Sequence, residues 1–241
     1  MRFVAFSRHN LFDDETAFIK IHGGTLAMNE GIFIVLEGLD GSGTTTQTAS
    51  LRNWFATDGA RYGACAATYE PTAGPVGSVL RLALSRRLNL DTRTMALLFA
   101  ADRTDHVYKE DDGRQEPGIS HLIRQGVIVI SDRYLLSSLA YQSLDLPIEW
   151  LYDINSRVIV PDIVVYLDVD PEESARRMRK ERFHQELYEA IGTQTLVRER
   201  YENAIRFLKD KGQKISRVDA NLSEPEVFKN ILAEILPILE R

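Results

Sequence analysis

The chain has 241 residues, 44% of them hydrophobic, enough for one α/β domain with a sizeable core or at most two small ones. Its formal charge of −6 supplies no basic footprint of the kind a nucleic-acid surface requires. The single cysteine, Cys65, excludes an intrachain disulfide framework and fits a reduced, cytoplasmic setting, and no stretch approaches the roughly 18 apolar residues of a membrane span.

Residues 1–27 mix Phe3, Phe6, Phe12 and Phe18 with Arg8, Asp13, Asp14 and Glu15, without the clean apolar run of a signal peptide. Met28 is read as the working start, 1–27 as an N-terminal extension, and 28–241 as the folded domain. Gly31–Glu37 is a continuous apolar run bounded by glycines, which predicts a buried parallel strand. A helix follows over Thr45–Ala56, then a strand over Ala64–Tyr69 and a helix over Pro75–Arg86, opened by its proline. Asp91–Tyr108 predicts a long helix with Asp91 or Thr92 as N-cap, and the charged, turn-rich residues 110–118 a loop. Ile119–Gln125 predicts a helix, Val127–Ser131 a strand, and Tyr134–Ser143 and Pro147–Ile159 two more helices. Ile163–Asp168 is the next strand, after which Arg176–Arg182 forms a dense basic stretch on a helix. A helix over about Gln194–Lys211, a short strand over Ile215–Val218 and an amphipathic helix over Glu224–Leu239 complete the chain. Five strands separated by helices predict a doubly wound parallel sheet.

The turn after the first strand, Gly38-Leu39-Asp40-Gly41-Ser42-Gly43-Thr44-Thr45-Thr46, follows the phosphate-binding pattern G-x-x-x-x-G-K-S/T at every place but one. Thr44 stands where the lysine belongs. Such a loop works mainly through backbone N–H groups ringing a phosphate at a helix N-terminus, and those survive the change. The missing lysine would have added a point charge on the β- and γ-phosphates. In a doubly wound sheet ligands collect beyond the carboxyl ends of the strands. The other chemically loaded pieces also follow strands: Glu70-Pro71 the second, Asp132-Arg133-Tyr134 the third, the basic stretch the fourth. Arginines there suit phosphate, since the planar guanidinium donates two parallel hydrogen bonds.

The ordered set of motifs resembles the thymidylate kinases, P-loop nucleoside monophosphate kinases. It comprises Phe33–Gln47, Thr68–Thr72 with Gly74–Gly77, Leu98–His106, Asp132-Arg133-Tyr134 with Ser137 and Ala140-Tyr141-Gln142, and Pro161–Asp168, over roughly residues 31–220. The resemblance implies a P-loop fold with a small lid, transfer of the γ-phosphate of ATP to dTMP, Mg²⁺ as cofactor and a homodimer. By the same resemblance the backbone of Gly38–Thr46 cradles ATP, with the Thr45 hydroxyl on Mg²⁺. Asp40 accepts from the 3′-hydroxyl of the substrate, Phe99 stacks on thymine, and Arg103 bonds the base or the 5′-phosphate. Asp132 orients Mg²⁺ through water, Arg133 clamps the phosphate, and Glu70, Ser137, Tyr141 and Gln142 line the acceptor pocket. The departures are Thr44, Tyr69 where an arginine is common, and the longer connection around 110–118. Lid arginines, Arg179 and Arg182 with Arg176, are expected to restore the missing charge. Two alternatives stay open: a nucleotide-binding homologue that has lost transfer, and a kinase for another nucleoside monophosphate.

Overall fold

The computed structural model describes residues 30–110, 117–181 and 191–240. The extension read over 1–27 and Arg182 therefore lie outside the described residues, as does the middle of the loop expected at 110–118. In chain order the elements are β1 (Phe33–Gly38), α1 (Thr44–Ala56), β2 (Cys65–Tyr69), α2 (Pro75–Leu84), α3 (Thr92–Tyr108), α4 (Ile119–Arg124) and β3 (Ile128–Asp132). Then come α5 (Leu135–Gln142), α6 (Ile148–Ile154), β4 (Ile163–Asp168), α7 (Pro171–Glu181), α8 (Ile191–Asp210), β5 (Ile215–Asp219) and α9 (Glu224–Leu239).

The five strands form one parallel sheet in the order β2-β3-β1-β4-β5. The two strands that flank β1 are β3 and β4, with Leu36 opposite Asp132 on one side and Gly38 opposite Leu167 on the other. The chain passes from β1 to the edge strand β2, returns to β3 beside β1, and then crosses to β4 and β5 on the other side; this reversal opens a crevice at the carboxyl end of β1. Helices on both faces bury the sheet, so β1 and β3 are buried along their whole length and apolar up to Glu37 and Ser131-Asp132 at their carboxyl ends, while the edge strands β2 and β5 are only partly covered. The core of Phe33, Leu36, Val129, Ile130, Val165 and Leu167 fixes the sheet beneath that crevice.

Local sequence explains most element ends. Asp91 caps α3 as expected, its carboxylate accepting from the Arg93 N–H at 2.9 Å. Pro75 opens α2 at its first turn. The helix expected over Pro147–Ile159 stops at Ile154, because Asn155 turns its side-chain amide back onto the Leu151 carbonyl at 2.8 Å. That bond satisfies a carbonyl the helix end would otherwise leave open. Burial pushes the Cys65 thiol up to about 11, so it is not a nucleophile at neutral pH. No helix among the described residues is long and apolar enough to cross a membrane.

Candidate active site

The loop between β1 and α1 is built by its glycines. A Cβ on Gly38 would sit 2.4 Å from the Ser42 hydroxyl and 2.8 Å from the Leu167 carbonyl, so the strand must leave the sheet through glycine. Gly41 and Gly43 have φ of 78° and 95°, the left-handed region that other residues rarely adopt. Gly43 hands the chain directly to α1, whose first N–H groups have no helical partners and face the crevice end of the sheet. Thr44 is buried at the start of this helix, whereas Thr45 is exposed and its hydroxyl donates to Asp132 Oδ2 at 2.6 Å. The other oxygen of Asp132, Oδ1, is buried without a protein partner. A buried carboxylate oxygen in that condition is costly unless a water or ion completes it.

Arg133 follows β3 in the left-handed region, φ 71°. The turn is locked by its N–H on the Leu36 carbonyl, 2.9 Å, and by the Ser131 hydroxyl on its own carbonyl, 2.7 Å. The guanidinium is thereby turned onto the P-loop: Nη2 donates to Asp40 Oδ1 at 2.5 Å and Nη1 to the Gly38 carbonyl at 2.9 Å. Burial works against its charge, but Tyr141, Asp40, Tyr201 and Asp132 outweigh it and hold the pKa well above its usual range. Tyr141 also accepts from the Asp40 N–H at 3.1 Å and lies beneath the guanidinium, 5.5 Å from ring centroid to Cζ. One carboxylate, one guanidinium and one phenol thus tie the P-loop to α5.

Glu37, fully buried just before Gly38, makes a second tie. Its carboxylate accepts from the N–H groups of Tyr134 and Ser137 at 2.8 and 3.1 Å and from the Ser137 hydroxyl. Burial raises its pKa above the ordinary 4.5, outweighing the Ser137 bonds and the Arg133 charge. A raised carboxyl contributes stability that is complete below 4.5 and is lost as pH rises through the folded value. Glu37→Gln is therefore expected to gain urea-midpoint stability relative to the parent as pH rises above 4.5. A stability difference that stays flat across this range would contradict the assignment.

Beside the loop lies a cavity of about 520 Å³. All eight residues expected to hold an acceptor line it: Asp40, Glu70, Phe99, Arg103, Arg133, Ser137, Tyr141 and Gln142. Asp40 and Arg133 are thus shared between the cavity and the P-loop. Gln142 is 9% exposed, and both ends of its amide lack a protein partner. Arg103 is placed differently from a free phosphate clamp. It is 1% exposed, with Nε on Glu70 at 2.9 Å, Nη1 on Asn155 Oδ1 at 2.5 Å, and Nη2 on Ser138 at 2.8 Å and the Tyr134 carbonyl at 3.1 Å. Glu70 in turn meets His106 Nδ1 at 3.0 Å, so the wall is a connected polar network.

Two arginines of the basic stretch are engaged locally. Arg176 and Arg177 both pair with Glu173 at 2.7 Å, and Arg177 also donates to the Ala220 carbonyl. Those hydrogen bonds, Arg176's foremost, hold the Glu173 carboxyl down at about 2. Arg179 lies on α7, and Arg182 falls outside the described residues. Contributors that carry no motif also reach the site. Tyr201 of α8 donates to the Gly38 carbonyl at 2.8 Å and meets Ser137 at 2.9 Å, and Ser174 of α7 donates to the Asp40 carbonyl at 2.5 Å. Only the buried stripe of α8, with Val197, Ala204 and Leu208, could have hinted that Tyr201 points inward.

A parallel sheet of this order, a glycine loop feeding a helix N-terminus, and an arginine shared with an adjoining acceptor cavity define a P-loop nucleotide kinase. The comparisons agree. Residues 36–231 match the family model described as thymidylate kinase, and the chain belongs to that family. It is 34% identical over 202 residues to a putative thymidylate kinase of Treponema pallidum (strain Nichols), covering 83% of this chain and 92% of that protein. It is 37% identical over 209 residues to a probable thymidylate kinase of Pyrococcus abyssi, covering 84% and 95%, and 40% identical over 179 residues to one of Thermococcus kodakarensis, covering 70% and 82%.

Proposed function

We infer that the chain transfers the γ-phosphate of ATP to dTMP, producing dTDP. The observation that carries this reading is the sharing of Asp40 and Arg133 between the P-loop and the acceptor cavity. Phosphoryl transfer asks little covalent chemistry of a protein and depends on alignment and charge neutralisation. Backbone N–H groups at the start of α1 receive the donor phosphates. Arg133, on the boundary, holds the acceptor phosphate towards them and neutralises charge shared by the two anions. Asp40 is placed to accept from a sugar hydroxyl, Phe99 to cover a base, and Gln142 to offer a donor and an acceptor to a base edge. Thr45 and the open oxygen of Asp132 fit a Mg²⁺ site, the latter through water. When bound, that ion neutralises phosphate charge and helps orient the donor. A cytoplasmic homodimer completes the reading by family resemblance, and sedimentation of the purified chain tests the dimer.

A coupled ADP-release assay with ATP, Mg²⁺ and each of dTMP, dUMP, dCMP and dGMP tests the acceptor. Turnover is expected to be fastest with dTMP. Folded protein that binds ATP and turns over none of the four would support the second reading, a nucleotide-binding homologue without transfer, which Thr44 favours. Buried Asp132 and a P-loop-facing Arg133 favour the enzyme, since a binding protein needs neither. Lid arginines are proposed to supply the charge that Thr44 lacks. Replacing Arg179 and Arg182 together by alanine is then expected to lower kcat about 10–100-fold, and Thr44→Lys in that background to recover part of it. An unchanged kcat in the double variant would remove the lid from this role.

A further inference from the structure

Arg103 reaches the acceptor cavity with most of its donors already committed, and the residue that commits Nη1 does not line the cavity. Asn155 ends α6, is 2% exposed, and holds Arg103 Nη1 through Oδ1 at 2.5 Å while Nδ2 donates to the Leu151 carbonyl at 2.8 Å. The two partners fix the amide's orientation. A guanidinium can only donate and a carbonyl can only accept, so oxygen must face Arg103 and nitrogen must face Leu151. A carboxylate, which only accepts, cannot satisfy both, and a serine hydroxyl, which can do either, is too short to span them. Nε and Nη2 are held by Glu70, Ser138 and the Tyr134 carbonyl, and the Tyr134 ring packs at 5.2 Å from the guanidinium carbon. Among the described residues this leaves one Nη1 hydrogen of the five N–H groups without a protein acceptor.

We propose that Asn155 is a positioning residue for recognition of the acceptor's base: by anchoring Arg103 Nη1 from behind the cavity wall, it aims the remaining N–H at an exocyclic keto oxygen of the base. The inference rests on the dTMP kinase reading and deepens it. A keto oxygen satisfies that N–H, whereas the exocyclic amino group of cytosine presents another donor and leaves two buried donors opposed. Discrimination of keto from amino pyrimidines therefore depends on a side chain that does not itself line the cavity.

The test uses the full chain with Asn155→Leu and Asn155→Asp, comparing KM for dTMP, KM for ATP, melting temperature, and the ratio of Kd values for dTMP and dCMP by calorimetry. Asn155→Leu orphans a guanidinium donor and is expected to raise KM for dTMP on the order of tenfold and to compress the dTMP:dCMP ratio, with KM for ATP unchanged. Asn155→Asp keeps the acceptor for Arg103 but sets an oxygen against the Leu151 carbonyl. It is expected to hold the dTMP:dCMP ratio within about threefold of the parent while lowering the melting temperature. If the leucine variant does not fold, Asn155→Ser, too short to reach both partners, takes its place with the same expectation. Equal rises in both KM values, or a base ratio unmoved by Asn155→Leu and Asn155→Ser, would overturn the proposal while leaving the kinase reading intact. A parent protein that does not turn over dTMP would reject both.

Discussion

Asp132→Asn is expected to lower kcat by about 10²–10³-fold while leaving KM for dTMP within a few-fold of the parent. The carboxylate sits at the end of β3, with Oδ2 on the Thr45 hydroxyl at 2.6 Å and Oδ1 buried without a protein partner. Asparagine can still accept from Thr45, so the local fold survives. What disappears is the negative charge that, on the proposed reading, would hold Mg²⁺ through water and so help orient the donor phosphates. Asp132 does not line the acceptor cavity, which is why the loss belongs in kcat. Steady-state kinetics over a Mg²⁺ series checks this. A variant that loses dTMP affinity and keeps kcat would place Asp132 on the acceptor side instead.

The second large effect concerns Arg133. Arg133→Ala is expected to reduce kcat/KM for dTMP by about 10³-fold or more, and Arg133→Lys to recover little of it. Four protein groups receive this guanidinium: Asp40 and the Gly38 carbonyl on the P-loop, Ser137 on α5, and Tyr201 on α8. A lysine ammonium can replace the charge but not the fork that spans two of these groups while presenting an edge to a phosphate. The two variants, assayed at saturating ATP with dTMP varied, separate charge from geometry. Full activity in Arg133→Lys would show that a point charge suffices.

The sheet was legible because buried parallel strands are written as continuous apolar runs, and Gly31–Glu37, Val127–Ser131 and Ile163–Asp168 each predict a strand within a few residues of the one observed. The P-loop was legible because its glycines answer to backbone conformation, as Gly41 and Gly43 confirm. The acceptor residues were named by the family resemblance, and the eight of them line one cavity because the fold brings the end of β2, α3 and the turn into α5 beside the P-loop. Partnerships across the fold were not legible. Nothing local announces that Tyr201 reaches Gly38 across 163 residues, that Ser174 reaches Asp40 across 134, or that Glu37 holds the turn of Tyr134 and Ser137. Charge composition misled in one place: Arg176 read as a lid cation, yet Glu173, three residues away, engages it. Asn155 looked like the interior of a longer helix, since its hold on Arg103 depends on where α3 passes.

The most direct measurement follows label from ATP radiolabelled at the γ-phosphate, incubated with the full chain, Mg²⁺ and dTMP, with the products separated by chromatography. Label is expected to appear in dTDP, at a rate that depends on dTMP concentration and falls sharply in Asp132→Asn and Arg133→Ala. Label confined to ATP, or released only as inorganic phosphate regardless of dTMP, would contradict transfer at a P-loop that carries Thr44.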